Sequence, residues 1–309
     1  MSATLISDRG KFLLLSRLCR SILGVLPVLA LLFAVSAVSV QAAGEEDSGA
    51  GFFQYLPATP KLKLPDIDII PFWTDDFKRA RKAYNNGNYS RAMKFFRRAS
   101  DDGNIVADWY LAHMFRLGQG TTRDPAIAYS YYTRVADNFD PEEPDTTRLR
   151  IMIDSQLQIA KFQRDGIPLA GLEANPAAAA RAFLRIASSY GHPGAQFEFA
   201  VMNIVGEGVK KNPQQGLKWL TAAARKRHTE AQAYLGDLYW QGRFVKQSET
   251  RGLMWYILAN QTARPEEHSR IINRFNEMES IVDAETKLEA EARARVWNEQ
   301  YPATLARAQ

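Results

Sequence analysis

Cysteine is nearly absent from this sequence, and that limits how the fold can be held together. The single cysteine, Cys19, precedes the apolar run from Ser21 to Val40. The cysteine of a lipoprotein follows such a run, so lipidation is excluded. The rest of the chain has no thiol, which excludes disulfides and thiolate metal sites. The roughly 267 residues after position 42 are ample to form a core that holds the fold by itself.

Long apolar runs are absent after the N-terminal region. The one long run follows a basic segment and ends at Val40 and Ala42, two small residues before the charged stretch GEED. This pattern predicts a secretory signal peptide over residues 1–42, cleaved after Ala42. An uncleaved anchor is the alternative, because the run approaches the ~20 residues that span a bilayer. The small residues and the helix breaker Pro27 favour cleavage, and we expect no membrane insertion afterwards.

A strong excess of charge of one sign is also lacking. The chain has 39 basic and 34 acidic residues, and residues 1–42 hold four of the basic and one of the acidic residues. The predicted mature chain therefore carries 35 basic and 33 acidic side chains. Such a balance does not predict a nucleic-acid partner, and export argues against one as well.

Histidine is scarce and shows no pattern typical of a metal or catalytic site. His192 and His228 lie 36 residues apart, which favours equivalent turn positions in a repeat. No nucleophile elbow occurs, and the paired acids at 142–143 and 266–267 are typical of solvated surface. We predict no catalytic, cofactor-binding or metal-binding residue, although a triad assembled from distant residues stays open. The four histidines are His113, His192, His228 and His268.

Residues 43–72 are rich in glycine, proline and acidic side chains. Prolines recur between positions 57 and 71 and forbid a continuous helix. The sequence predicts an extended N-terminal tail here. Because Ile67, Ile69 and Phe72 would otherwise be exposed apolar surface, we expect the tail to lie against the body of the protein.

Helical periodicity begins at Trp73 and continues almost to the end. Residues 75–101 place Phe77, Ala80 and Tyr84 on one helical face. A turn with the sequence NNGN follows. Neither helix of this segment can bury its apolar face alone, so we predict a helical hairpin. The second apolar face consists of Tyr89, Ala92, Phe95, Phe96 and Ala99.

Similar segments recur at a spacing near 36 residues. Gly206 matches Gly242, and Trp219 matches Trp255. The stretch ADWYLAHMFRLGQG shows the same pattern 88 residues before its counterpart, and a weaker copy lies between the two. Together with the first segment, these copies predict five hairpins, at about 75–101, 105–137, 152–190, 194–227 and 230–262.

Each copy places a glycine at the end of its first helix, and most place Asp-Pro or Asn-Pro at the start of the second. Glycine ends a helix in the left-handed conformation, and Asp or Asn before proline caps the next helix. The stretch GEGVKKNPQQG resembles a phosphate loop, but its counterpart GQGTTRDPAIA has no lysine pair. Backbone geometry is therefore what repeats. Such units predict an all-α fold, a right-handed α-solenoid of stacked helical hairpins.

The repeated residues resemble the Sel-one-like repeat, a relative of the tetratricopeptide repeat. The resemblance covers about residues 75–263, and the hairpin at 75–101 is more similar to an ordinary tetratricopeptide unit. It implies a structural role and carries no activity of its own. The residues that we assign to the repeat structure are Gly118, Gly120, Pro125, Gly206, Gly208, Pro213, Trp219, Gly236, Gly242 and Trp255.

Two regions depart from the repeat. Residues 137–148 insert about a dozen acidic and proline-containing positions, which predicts a mobile surface loop. After Pro265 the signature ends, and an apolar stripe from Ile271 through Phe275 and Met278 to Val282 predicts one broken or two successive capping helices. The predicted organisation is a signal peptide (1–42), a tail (43–72), a repeat solenoid (73–263) and a helical cap with a short tail (264–309).

The first hairpin carries a dense basic run between residues 78 and 98. A solvated helix face is the plain interpretation, and a docking patch for an acidic partner surface is the sharper one. Tyr129, Tyr131 and Tyr132 are expected to pack mostly between helices, with one of them facing a concave groove. The candidate partner-binding residues are Arg81, Lys82, Arg91, Lys94, Arg97, Arg98 and Tyr129.

The predicted mature chain as a whole is similar to the ExoR family. The similarity lies in the signal peptide, the acidic glycine-rich start, the proline-rich segment ending in IIPFW and the repeat arrangement. It implies a periplasmic protein that binds the periplasmic sensing domain of a membrane sensor histidine kinase and holds it inactive. Repression of exopolysaccharide production would follow, and a periplasmic protease would relieve it.

Two other classes stay open at this stage. One is a generic periplasmic scaffold or adaptor for cell-envelope or polysaccharide machinery. The other is an enzyme, or an enzyme-associated module, acting on cell-wall glycan or exopolysaccharide. That class needs clustered carboxylates or histidines in a groove, which the sequence does not predict. We therefore expect a protein that is not an enzyme and needs no cofactor.

Overall fold

The computed structural model describes residues 75–138, 140, 142–143 and 145–302, except for the side chain of Leu169. The predicted signal peptide and tail lie outside these residues. The described part belongs to one compact unit, Gly49–Gln309, and contains twelve α-helices. They are α1 Asp75–Asn85, α2 Tyr89–Asp101, α3 Ile105–Leu117, α4 Pro125–Asp137, α5 Thr146–Asp165, α6 Pro176–Ser189, α7 Pro193–Val205, α8 Pro213–Arg225, α9 Thr229–Gln241, α10 Glu249–Thr262, α11 Pro265–Ile281 and α12 Ala284–Gln300.

The first ten helices form five antiparallel hairpins that stack in chain order. Each helix packs against the next one, and α3 also contacts α5 across the intervening α4. At the end of the stack, α10 contacts both α11 and α12. The predicted all-α solenoid of stacked hairpins is confirmed. None of the described helices is long and apolar enough to cross a membrane.

The second helices of the middle hairpins begin as the sequence predicts. Asp124, Asn175 and Asn212 are the N-caps of α4, α6 and α8, and proline occupies the first turn of each helix. The Asp124 carboxylate accepts two backbone N–H groups at 3.0 Å. His192 and His228 have the same task on α7 and α9, where each Nδ1 accepts a backbone N–H at 3.3 Å. The predicted turn position of these two histidines is therefore confirmed.

The loops after α3 and α7 each have two glycines with different tasks, whereas the loop after α9 has only the first of them, Gly242. Gly118, Gly206 and Gly242 end their helices in the left-handed conformation, with φ of 70°, 91° and 69°. A Cβ on Gly208 would lie 2.3 Å from the carbonyl oxygen of Pro176, and one on Gly120 would lie 2.5 Å from the backbone of Tyr89. The second glycine therefore allows the loop to touch the preceding hairpin, a contact between repeats that the sequence analysis did not assign to it.

Other repeat residues lie between helices. A Cβ on Gly236 would meet the Tyr256 ring at 2.5 Å, so this glycine sets the close approach of α9 and α10. The Trp219 ring contacts Phe199 edge-on with 5.9 Å between the centroids. Trp255 is buried in the last hairpin. The predicted packing role of both tryptophans is confirmed.

The first two hairpins enclose an aromatic core. Phe77, Phe96 and Tyr110 are at most 2% exposed. The Phe96 and Tyr110 rings stack with 4.5 Å between centroids, and Phe77 meets Phe96 edge-on at 5.6 Å. The apolar faces predicted for α1 and α2 thus pack against each other and against α3.

The start of α5 corrects the predicted insert and the predicted hairpin at 152–190. α5 begins at Thr146, because the Asp145 carboxylate accepts the backbone N–H groups of Thr147 at 2.8 Å and Arg148 at 3.3 Å. Part of the segment 137–148 is therefore helical rather than loop. At the other end of α5, the longer connection to α6 holds the short 3-10 helix Pro168–Ala170.

Candidate interaction surface

The predicted basic residues lie on the outer surface of the first hairpin. Their side chains project from α1 and α2 between the buried positions of those helices. Arg81 is half-buried. Asp76 offsets part of the charge, since its carboxylate lies 3.9 Å from both Arg79 and Arg98. The exposed predicted residues, which we call the basic cluster, are Lys82, Arg91, Lys94, Arg97 and Arg98.

Aromatic rings hold three of these arginines in place. The guanidinium carbons of Arg91 and Arg98 lie 5.8 and 5.7 Å from the centroid of the Phe95 ring. Arg97 lies 5.8 Å from the centroid of Phe115 on α3. A guanidinium over a ring face is attracted by the ring and loses part of its freedom. The cluster is therefore both charged and partly ordered before any partner binds.

Tyr129 does not join the basic cluster through a hydrogen bond, ion pair or ring contact in the described residues. It is half-buried on α4, and its ring meets Phe162 of α5 edge-on at 6.0 Å. Tyr131 stacks on Phe115 at 5.9 Å, and Tyr132 is fully buried. The expectation that these tyrosines pack mainly between helices is confirmed. A role for Tyr129 in binding stays a prediction.

A second set of polar residues, which sequence reasoning missed, joins the first helices of successive hairpins. On α5, the Asp154 carboxylate reaches back to α3. Trp109 Nε1 donates to Asp154 Oδ2 at 2.7 Å, and His113 Nε2 lies 3.0 Å from the same oxygen. Asp154 therefore ties the third hairpin to the second one.

The same α5 helix reaches forward to α7. Arg164 Nη1 donates to Glu198 Oε2 at 2.6 Å, and Lys161 Nζ lies 2.9 Å from Glu198 Oε1. The side chains of Arg164 and Glu198 are 6% and 5% exposed. A buried charge of this kind is tolerated only with a partner, because its desolvation is costly. The two cations on α5 supply that partner.

A third contact follows at the end of the stack. The Glu230 carboxylate on α9 lies 3.4 Å from His228 Nδ1 and 3.4 Å from His268 Nε2 of α11. The His228 ring also stacks on Phe197 of α7, with 5.1 Å between centroids. We call these inward-facing side chains the charged row; they are His113, Asp154, Lys161, Arg164, Glu198, His228, Glu230 and His268.

Burial sets the protonation of the histidines near this row. Burial lowers the pKa of His113 and His228, and it lowers the pKa of His192 to about 4. Burial alone would raise the pKa of Asp154, but the hydrogen bond and charge of His113 hold that pKa well below its usual range. The pKa of Glu198 is likewise lowered, against burial, by its two basic neighbours. The carboxylates are therefore ionised at neutral pH.

A sequence signal for the charged row does exist. Asp154 directly follows the apolar residues IMI, and Glu198 interrupts the apolar stretch FEFAVM. A single carboxylate in such a stretch predicts a buried charge with a partner. The partner's identity depends on which hairpins become neighbours. Within the described part of the chain, no group of histidine, cysteine and acidic side chains has the arrangement of a metal site.

Comparison with known families agrees with the repeat geometry. The Sel1 repeat family matches residues 81–104, 105–138, 193–228 and 229–261. The unmatched residues between the second and third matches contain α5 and α6. The predicted Sel-one-like repeats are confirmed.

Two curated proteins are similar to more than half of this chain. An exopolysaccharide production negative regulator of Rhizobium leguminosarum bv. viciae is 31% identical over 193 residues, which is 62% of this chain and 70% of the relative. The chain belongs to this family of regulators. A protein of the same description from Rhizobium meliloti (strain 1021) is 28% identical over 191 residues, 62% of this chain and 69% of the relative. The resemblance to the ExoR family is thus confirmed.

A solved structure supports the fold of this regulator family member. The Sel1 repeat protein from Oxalobacter formigenes matches with a TM-score of 0.51 at 20% identity, covering 76% of this chain and 88% of that one. At this identity the match concerns the fold alone. It agrees with the stacked hairpins described above.

Proposed function

We propose that this chain is a periplasmic negative regulator of exopolysaccharide production that acts by binding another protein rather than by catalysis. The observation that carries the proposal is the 31% identity to a regulator of that description over 62% of this chain and 70% of the relative. The predicted signal peptide supports a periplasmic location. The repeat fold supports protein binding, because stacked hairpins present extended surfaces.

The partner that we propose is the periplasmic sensing domain of a membrane sensor histidine kinase, held inactive while bound. The basic cluster on α1 and α2 is the surface proposed to bind it. Its arginines are exposed, and Phe95 and Phe115 restrain three of them. Restrained guanidinium groups lose less freedom when they pair with carboxylates. We therefore expect an acidic surface on the kinase domain.

The charged row is a poorer binding surface than the basic cluster. Its carboxylates already contact cations or histidines of neighbouring hairpins. A partner would have to displace these contacts and leave buried charges unpaired, which costs several kcal/mol. The row therefore serves to hold the solenoid together.

A pull-down from periplasmic extract tests the binding proposal. One bait is the unmodified full chain after export. A second bait, the cluster variant, combines Arg91→Glu, Lys94→Glu and Arg97→Glu. The matched control, Arg181→Glu with Arg185→Glu, reverses exposed charges on α6. We expect the kinase domain with the unmodified bait and the control, and at least about tenfold less with the cluster variant. Failure to recover a kinase domain with any bait counts against the proposal, and equal loss in the control removes the assignment to the basic cluster.

We further propose that proteolysis ends the inhibition. The proposed cleavage regions are the tail that the sequence predicts to be extended at 43–72 and the connection between α4 and α5, which lies outside both helices. Limited proteolysis followed by mass spectrometry should place the first cuts there, and partner binding should protect one of the two. First cuts between residues 195 and 260, inside the regular hairpins, would contradict this step.

A further inference from the structure

The last helix, α12, is apolar on two opposite faces. One face packs against the rest of the protein: Ala290, Ala294 and Trp297 are buried, and the Trp297 ring meets Trp255 of α10 at 5.8 Å. A helix that ends a repeat stack ordinarily presents a polar face on its other side, which keeps the protein soluble. The other face of α12 does not follow that rule.

A row of apolar side chains runs along the outer face. Ala284, Leu288, Ala292 and Val296 follow one another at intervals of four residues, so they form one ridge of the helix. Leu288 is 64% exposed and Val296 is 54% exposed. Ile281 at the end of α11 is 63% exposed, whereas the exposed large apolar side chains on α4, α6 and α7 are only 37% to 39% exposed. We call this ridge the α12 stripe.

Charged residues flank the α12 stripe in two rows. The first row holds Glu285, Glu289 and Arg293, and the second holds Lys287, Glu291 and Arg295. Residues at equal distances from Glu289 carry opposite charges: Glu285 matches Arg293, and Lys287 matches Glu291. Such a pattern is complementary to a reversed copy of itself.

An antiparallel pair of α12 helices uses this complementarity, because each flanking row then faces its own copy. With Glu289 at the midpoint, Glu285 of one copy faces Arg293 of the other, and Lys287 faces Glu291. Twofold symmetry forms each pair twice. The two Glu289 side chains face each other as the one like pair, and Arg293 of the same copy contacts each of them. A parallel pair would instead place Glu285 against Lys287, which are opposite charges, but Glu289 against Glu291 and Arg293 against Arg295, so like pairs would outnumber opposite ones. The charges therefore favour one orientation.

We propose that the α12 stripe is the contact between two copies of this chain, paired antiparallel about Glu289. The stripe supplies the apolar area, and the flanking charges set orientation and register, as exposed ion pairs contribute little energy by themselves. Within each copy Arg293 already contacts Glu289 at 2.6 Å, and Lys287 contacts Glu279 at 2.5 Å. The proposal depends on α12 alone and is independent of the partner proposed above.

Sedimentation of the exported full chain over a range of concentrations tests the dimer. We expect a reversible monomer–dimer equilibrium. Leu288→Glu with Val296→Glu should raise the dimer dissociation constant roughly 100-fold, because two apolar side chains per copy are lost from the contact. The matched control is Leu184→Glu on α6, which should leave that constant unchanged. Thermal melting checks folding, and both stripe residues are more than half exposed, so the fold should persist.

Charge reversal tests the orientation. Glu285→Arg and Arg293→Glu should each weaken the dimer, and the two together should restore it, since the pair is then only exchanged. Equal weakening in the double variant would contradict the antiparallel register.

Cross-linking tests the midpoint, because the chain has no cysteine after Cys19. A short bis-maleimide should link two copies of Glu289→Cys. It should not link Glu299→Cys, whose two copies would lie about 30 Å apart at 1.5 Å per residue. Efficient linking of both variants overturns the register. A monomer at every concentration overturns the whole proposal, whether the predicted tail 43–72 or another protein covers the stripe instead.

Discussion

The hairpins α5–α6 and α7–α8 have the same topology but differ in how they are held. Both helices of α7–α8 have 13 residues, and the Sel1 repeat family matches this hairpin. The matches leave out α5 and α6 entirely; α5 has 20 residues, and the connection between the two helices holds a 3-10 helix. The regular hairpin depends on a capping histidine, a terminal glycine and small residues. The irregular hairpin has its own apolar core and adds charged links to both neighbouring hairpins.

Most of the charged links within the solenoid start from α5. Asp154 reaches α3, whereas Lys161 and Arg164 reach α7. The regular hairpins contribute the receiving side chains, such as Glu198. The regularly spaced repeat residues therefore set the backbone geometry of the hairpins. The irregular hairpin α5–α6 supplies the ion pairs and hydrogen bonds that link the hairpins on either side of it.

The largest effect is expected from removing the carboxylate between α5 and α7. Glu198→Leu removes the closest partner of the buried Arg164, which keeps only the exposed Asp165 at 2.7 Å. The free energy of unfolding should therefore fall by about 3 kcal/mol, the lower end of the cost of breaking a buried pair. Urea denaturation measures this loss. In the double variant Arg164→Met with Glu198→Leu, most of it should return, because no buried charge is left unpaired. A matched exposed pair provides the control: Glu277→Ala, opposite Arg274, should cost within about 1 kcal/mol. Equal losses for Glu198→Leu and Glu277→Ala would refute the importance of the α5 ties.

The regular loops should be sensitive to backbone clashes rather than charge. Gly208→Ala combines a positive φ of 66° with a Cβ 2.3 Å from the Pro176 oxygen, and should cost about 3 kcal/mol. Gly171→Ala, in the irregular connection, has a φ of 69° but no atom within 4 Å of the new Cβ. It should cost about 1–2 kcal/mol. Thermal melting of the two variants separates the cost of the steric clash from the cost of the positive φ. A larger loss of stability for Gly171→Ala than for Gly208→Ala would contradict the contact assigned to Gly208.

The third prediction concerns the loss of stability at acidic pH. A histidine whose pKa is lower in the folded state than in the unfolded state binds its proton mainly after unfolding, so stability falls as pH decreases below about 6.5. The pKa of His192, lowered to about 4 by burial, should remove about 1–2 kcal/mol between pH 7 and pH 5. His228 acts in the same direction. Asp237 acts oppositely, because burial raises its pKa to about 6.

Asparagine at the capping histidines isolates this effect, since it keeps the N-cap without titrating. His192→Asn should change stability by only a few tenths of a kcal/mol at pH 7 and should reduce the loss on going to pH 5. Urea denaturation at the two pH values measures both. An unchanged loss in this variant would show that the acid sensitivity arises elsewhere.

The sequence predicts the features that depend on neighbouring residues along the chain. Gly118, Gly206 and Asn212 fix helix ends through local geometry, and their spacing alone is enough to find them. Contacts between hairpins are different. The link from Asp154 to Trp109 joins residues separated by an insert of irregular length, so no repeat spacing reports it. The sequence assigns Gly208 to the repeat but does not predict its contact with Pro176, because that neighbour belongs to another hairpin.

Sequence patterns of neighbouring residues also fail to predict a helix start where helix-capping and loop-forming residues occur together. The segment before α5 contains acidic and proline residues that favour a loop, yet Asp145 caps a helix there. The basic cluster was found from composition, whereas the rings beneath it required the packing of α2 on α3. The sequence does not identify the α12 stripe, because α12 has apolar residues on two opposite faces and the pattern does not show which face is buried.

The ties made by α5 have a consequence for cooperativity. In a stack where each hairpin touches mainly its neighbours, unfolding spreads only as far as the contacts between hairpins are strong. Asp154 on one side and Arg164 on the other make α5 the coupling element between α1–α4 and the helices that follow α6. If these links are cut, hydrogen exchange should reveal two separate foldons in place of one. The hairpin least like a repeat would then be the one that makes the repeats unfold as a single unit.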